Sequence, residues 1–129
     1  MMMNKRLLTL VMGLMILFAT AVKAEIREVP TEQNGRLSQV AWTDDAGNPV
    51  PGPNGYATVK YSYKKDSTTE EYFDEKGLPY ETAGGYYGRK VTLDGKKRVI
   101  QVEFLDMNGE RTLNSQGYAL VSTVYYGFG

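Results

Sequence analysis

The sequence predicts an all-β protein, an antiparallel meander of about six strands built from three tandem hairpin-like repeats. Three observations predict it. First, one pattern occurs three times: Trp42-Thr43-Asp44, Gly47 and Gly55-Tyr56; Tyr72-Phe73-Asp74, Gly77 and Gly85-Tyr86; Phe104-Leu105-Asp106, Gly109 and Gly117-Tyr118. In each copy the leading aromatic precedes the Asp by two residues, the first Gly by five and the second Gly by thirteen. The copies begin 30 and then 32 residues apart, and self-similarity at such a period marks a repeat architecture. Second, the segments between turn signals alternate apolar and polar residues with the period of a strand. Third, no window longer than a turn carries an apolar period of 3.6 residues.

The elements follow in order. Ile26–Val29 is a short β-favouring run stopped by Pro30, a seventh strand if it joins the sheet. Asn34-Gly35 is a turn signal. Leu37–Thr43 alternates, with Ser38, Val40 and Trp42 on one side. Asp44–Gly47 turns the chain, and Asn48–Asn54, with three prolines, is expected to be an irregular loop. Tyr56–Tyr63 places Ala57, Val59, Tyr61 and Tyr63 on one face and Thr58, Lys60 and Ser62 on the other. Lys64–Ser67 turns back, Thr68–Phe73 pairs next, and Asp74–Gly77 turns again. Tyr86–Leu93 follows, closed by the hairpin signal Asp94-Gly95. Lys97–Leu105 carries Ile100, Val102 and Phe104 on one face, and Tyr118–Tyr126 is the last strand. Consecutive strands joined by short turns pair as antiparallel neighbours. The repeats fall at about 37–66, 67–96 and 97–129.

The N-terminus reads differently. Lys5 and Arg6 precede a run of 16 largely apolar residues, Leu7–Val22, and Val22-Lys23-Ala24 offers small residues before Glu25. This is the pattern of a secretory signal peptide, 1–24, cleaved after Ala24. The run is short for a membrane span, which needs ~20 residues, so no stable span is expected after cleavage. No Cys follows the run, which excludes lipid attachment of the bacterial lipoprotein kind. The expected mature chain, 25–129, is one small domain, exported to the periplasm, cell surface or medium. It holds 12 basic and 15 acidic residues, a net charge of −3, which argues against nucleic acid or an anionic membrane as partner. Without Cys there are no disulfides, so sheet pairing and aromatic packing must carry stability.

Each Asp of the repeat opens a turn, its carboxylate accepting the backbone N–H two residues on, and the Gly three places later supplies positive φ. Calcium is the alternative for clusters such as Asp44, Asp45 and Asn48, or Asp106, Asn108 and Glu110. It wants six to eight oxygens, and the second copy offers only Asp74 and Glu75, so turn-making is the expected role and no metal or cofactor is assigned. There is no His or Cys, no Gly-x-Ser-x-Gly and no phosphate loop. No catalytic residues are assigned and no enzyme is expected.

The aromatics carry the remaining chemistry. Trp42, Tyr72 and Phe104 are expected to stack along neighbouring repeats as the core ladder. Tyr86, Tyr87, Tyr125 and Tyr126 occur as doublets, which point one ring to each face. They are the candidate ligand-binding residues, because Tyr rings serve as platforms for sugars. Lys96-Lys97-Arg98 reads as a solvated turn or edge protection, the functional alternative being contact with an anionic polymer.

The copies resemble tandem β-repeats of bacterial surface and secreted proteins that read aromatic-x-Asp-x-x-Gly-x-Pro, a short loop, then Gly-Tyr-Ala. The matching residues are Tyr72-Phe73-Asp74, Gly77 and Pro79, with Gly55-Tyr56-Ala57 and Gly117-Tyr118-Ala119. They are similar in style to the tyrosine-aspartate repeats of RHS-type proteins and to MORN-like hairpin repeats. Tyr72–Gly77 also looks like a choline- or glucan-binding repeat, a weaker likeness because those repeats are shorter. The resemblance implies a binding or display role at the cell envelope, with a polysaccharide or a protein as partner. A structural spacer, or an assembly unit whose edge strands pair between copies, is the other expectation. Either the last strand is an open edge or the sequence is cut from a longer array.

Overall fold

The computed structural model describes residues 25–127. The expected signal peptide, 1–24, lies outside the described residues, as do Phe128 and Gly129. Seven strands follow in order: β1 (Arg27–Gln33), β2 (Arg36–Thr43), β3 (Thr58–Tyr63), β4 (Ser67–Phe73), β5 (Gly88–Leu93), β6 (Val99–Leu105) and β7 (Leu120–Ser122). They form one sheet in sequence order, each neighbouring pair antiparallel. The expected meander is what the chain forms, with β1 as a full seventh strand.

Pro30 does not stop β1, and the register explains why. The Trp42 N–H donates to the Ala57 carbonyl on the β3 side, so the Val40 N–H, two residues before it, also turns away from β1. Pro30 stands opposite Val40 and forms a pair without hydrogen bonds, its ring nitrogen facing out from the sheet. Proline is tolerated in just such an edge position, and there it denies an incoming strand a donor.

The long connections are regular, including Asn48–Asn54, which was expected to be an irregular loop. Each is two tight turns in succession. In the first, the Asp44 carbonyl accepts the Gly47 N–H and the Asp44 N–H donates to the Asn48 carbonyl. Asp44 Oδ1 accepts the N–H groups of Ala46 and Asn48, both at 2.9 Å. Asp74 and Asp106 make the same bonds with Lys76 and Leu78, and with Asn108 and Glu110. Gly47, Gly77 and Gly109 close these turns at φ 86, 80 and 78°, the left-handed position of a three-residue hairpin loop. The second turn spans Gly52–Tyr56, Thr82–Tyr86 and Asn114–Tyr118, with Gly55, Gly85 and Gly117 in the left-handed position. Here Asn114 takes the Asp role, its Oδ1 accepting from Gln116 and Tyr118. Three prolines fit the first connection because its backbone bonds draw on Asp44, Ala46, Gly47, Asn48, Val50, Gly52 and Gly55. Residues 49, 51 and 53 are not among those donors.

Packing concentrates on one face, where Val40, Val59 and Tyr72 stand side by side across β2, β3 and β4 and are buried. The leading aromatics do line up, but they are interleaved. The ring order is Trp42, Tyr56, Tyr72, Tyr86, Phe104, with successive centroids 5.5, 4.7, 6.0 and 4.9 Å apart. Such offset and edge-on pairs are stabilising beyond the area they bury. The loops lie against these rings. A Cβ on Gly52 would sit 2.5 Å from the Trp42 ring, and one on Gly84 the same distance from Tyr86. The other face carries charged pairs, Lys60 opposite Glu71 and Lys90 opposite Glu103, beside Phe73 and the buried Leu105. Lys60 Nζ lies 4.8 Å from the centroid of the Phe73 ring. No helix among the described residues is long and apolar enough to cross a membrane.

Two outcomes follow from the turns and the edge. The Asp44 carboxyl is held below its ordinary range, chiefly by the backbone hydrogen bond from Asn48, and Asp94 likewise by Arg98. A lowered folded pKa contributes stability above the unfolded carboxyl value near ~3.9, lost as pH falls through the folded value. Thermal melts across acid pH will therefore drop less steeply for Asp94→Asn, since an amide oxygen accepts the same turn bonds without titrating. An acid limb identical to wild type refutes this. Pro30→Val will keep the circular dichroism spectrum but increase self-association in sedimentation, because the outer edge of β1 gains a donor; a monomer indistinguishable from wild type counts against the edge-blocking role.

Candidate functional site

A polar group on the apolar face is the first clue to a site. Glu70 on β4 and Arg89 on β5 face each other in the register, with Tyr61 beyond Glu70 and Phe104 beyond Arg89. Arg89 Nε donates to Glu70 Oε2 at 2.6 Å. The Glu70 side chain is only 14 % exposed and that of Arg89 40 %. Burial works against the guanidinium charge, but the hydrogen bond and charge of Glu70 outweigh it and hold Arg89 above its ordinary value. Burial, then the Glu70 charge, pushes the Tyr61 and Tyr72 hydroxyls up, so both stay protonated donors at neutral pH. Only Nε of Arg89 is used in the pair. A guanidinium has five N–H donors, so the others remain for a ligand.

This pair lies in a cleft of about 350 Å³. Tyr56, Tyr72 and Tyr86 line it, with Asn54 and Thr82 from two successive double-turn loops. The loops reach the cleft because the turns fix them. Thr82 Oγ1 donates to the Tyr86 carbonyl at 3.0 Å, and Asn54 Nδ2 reaches the Tyr56 hydroxyl at 3.4 Å. Successive loops also seat on each other. Tyr80 packs on Tyr56 with its hydroxyl at Gly55, and the Ser115 N–H donates to the Gly84 carbonyl at 2.7 Å. Beneath Arg89, Gly88 is irreplaceable on geometric grounds, since a Cβ there would lie 2.6 Å from the Glu70 carbonyl oxygen.

Chemically, the cleft offers a carboxylate, a guanidinium, hydroxyls and an amide around tyrosine rings. Pockets of a few convergent polar groups in an aromatic frame are typical of small-molecule recognition. A sugar fits this set, since it presents paired hydroxyls and an apolar ring face.

The four tyrosines expected to bind ligand are not brought together. Tyr86 lines the cleft and is also part of the ladder. Tyr87 is its partly exposed neighbour, its hydroxyl pKa raised first by a hydrogen bond with Glu81. Tyr125 lies toward the opposite end, its hydroxyl donating to the Val99 carbonyl at 2.6 Å and its ring 4.3 Å from the Arg98 guanidinium. Tyr126 is 94 % exposed. The cleft residues that sequence reasoning missed are Asn54, Glu70, Thr82 and Arg89. Glu70 and Arg89 are 19 residues apart, and only the strand register makes them neighbours. Tyr56 was visible as the repeated Gly-Tyr, though not as a wall of the cleft.

No protein-family model, no curated protein and no solved structure matches the chain.

Gly88→Ala will destabilise the fold by about 1–3 kcal/mol, the usual range for overpacking. Gly95→Ala, where an added Cβ meets nothing within 4 Å, will be near neutral. Thermal denaturation of the two variants checks this, and equal melting points contradict the close approach of β4 to β5.

Proposed function

We propose that the chain is an exported, non-catalytic β-repeat module that binds a cell-envelope polysaccharide through the cleft around Glu70 and Arg89. The observation that carries the reading is the cleft's composition: an ion pair with spare donors, framed by three tyrosines. Its donors and acceptors suit vicinal hydroxyls, and the half-buried Tyr56 and Tyr86 rings suit the apolar face of a sugar. The absence of catalysis rests on the chemistry of the lining. Glycoside hydrolysis uses two carboxyl groups flanking the bond, whereas Glu70 is the one carboxylate lining this cleft and is paired to Arg89. The likeness to bacterial surface repeats supports the same role, and the signal-peptide pattern supports export.

A second reading is an assembly unit pairing edge to edge, or a spacer, with a protein rather than a glycan as partner. It draws on the β7 side, where Met107, Leu113, Tyr118, Val121, Val124 and Tyr126 are all exposed.

Calorimetry or pull-down against purified envelope glycans tests the proposal. Tyr86→Phe removes only a hydroxyl and Asn54→Ala only an amide, so both will fold. Each will weaken glycan binding roughly fivefold, the value of one hydrogen bond. No glycan binding by wild type, or unchanged affinity in both variants, overturns the cleft assignment. Concentration-dependent self-association without glycan binding favours the assembly unit.

A further inference from the structure

The turns that join β1 to β2, β3 to β4 and β5 to β6 all lie at one end of the sheet. The segments 34–36, 64–67 and 94–98 hold six basic residues and two acidic ones. The double-turn segments at the other end, 44–56, 74–86 and 106–118, hold two basic and seven acidic residues. Charge is therefore segregated along the strands, and the short-turn end is basic although the expected mature chain is acidic overall. Sequence order alone hides this, because Arg36, Lys64 and Lys65 are distant from Lys97.

A cleft of about 450 Å³ opens at that end, with Arg36, Lys64, Lys65 and Lys97 around it. Its two carboxylates do not cancel them. Asp94 is engaged by its own turn, accepting from the Lys96 and Arg98 N–H groups and from Arg98 Nε. Asp66 alone remains. Among the described residues Lys64, Lys65 and Lys97 make no ion pair. The Arg36 guanidinium is held 5.0 Å from the centroid of the Tyr63 ring, and Tyr63 is itself fixed by a hydrogen bond to the Leu37 carbonyl.

Lys97 is the decisive residue. Its turn has the backbone bonds of the turns at Asp44, Asp74 and Asp106. Those three close with glycine, whereas here Lys97 takes the left-handed position at φ 62°. A residue with a Cβ is disfavoured there, and the same chain solves the same turn with glycine three times. The turn therefore does not explain the lysine. A conformational cost kept at a cleft points to a task for the side chain.

We propose that this cleft binds an acidic polysaccharide, whose uronate, sulfate or phosphate groups are met by Arg36, Lys64, Lys65 and Lys97. Successive turns on this end are two strands apart, roughly 10 Å, so the cations form a row along the sheet edge that suits a linear polymer. The recess is concave, which a flat membrane surface does not fill, and the acidic far end repels nucleic acid as a long rod. The site is separate from the Glu70–Arg89 cleft, which lies toward the other end of β4.

Titration of the protein with dextran sulfate, against uncharged dextran, tests this. Dextran sulfate will bind, more weakly as salt rises, and dextran will not bind at this cleft. Lys97→Gly will weaken dextran sulfate binding roughly two- to fivefold, the range of one exposed charge contact, while its melting temperature holds or rises. Lys64→Gln with Lys65→Gln will weaken it further. Lys76→Gln at the acidic end, and the Asn54→Ala variant of the other cleft, will leave it unchanged. Undiminished binding by Lys97→Gly overturns the proposal. So does an equal loss in Lys76→Gln, or tighter binding to single-stranded DNA or anionic phosphatidylglycerol vesicles than to dextran sulfate.

Discussion

Ring against ring is the contact on which this molecule rests. One sheet, without a second sheet or a helix across it, buries little: Val40, Ala57, Val59, Tyr72 and Leu105 are its buried apolar residues. A domain normally closes its core between two layers, and a small secreted one often adds disulfides. Here neither device is present among the described residues. The row from Trp42 to Phe104 takes their place, joining the strands across the sheet and giving the loops a surface to lie on. The double turns matter because they return Tyr56 and Tyr86 to the gaps between successive leading aromatics.

Much of this was legible in the chain. The thirteen-residue spacing marks the repeat, and the alternation within 56–63 assigns faces that the register of Thr58–Tyr63 bears out. Within 97–105 the register bears out Val102 and Phe104, while a register shift passes over Ile100. The Asp carboxylates accept the backbone N–H two residues on, as the Asx-turn expectation requires. What escaped was non-local or depended on direction. Pro30 looked like a stop because a sequence does not say which way an N–H points. The proline-rich stretch 48–54 looked irregular because composition cannot tell a proline that removes a needed donor from one at an idle position.

The candidate sites were less legible for the same reason. A tyrosine doublet reveals that one ring faces each way, but not which ring meets a neighbouring strand's aromatic. Tyr86 was a candidate ligand-binding residue and is part of the ladder, yet it also walls a cleft whose charged members are Arg89 on β5 and Glu70 on β4. The expected ladder of Trp42, Tyr72 and Phe104 is present with two more rings inserted, since the register brings the Tyr of one unit beside the leading ring of the next.

The seating of one loop upon the next has a consequence for how such a chain can change its length. Gly55 meets the Tyr80 hydroxyl and Gly85 meets the Ser115 backbone, so each loop rests on the next, though at a different position of the unit. A single inserted or deleted residue inside a strand turns the residues beyond it to the other face, unless a bulge absorbs it as at Thr92/Leu93. Growth or shrinkage by whole units preserves the stack. A lineage of such chains would be expected to differ by intervals near thirty residues, with the joints falling in the short turns.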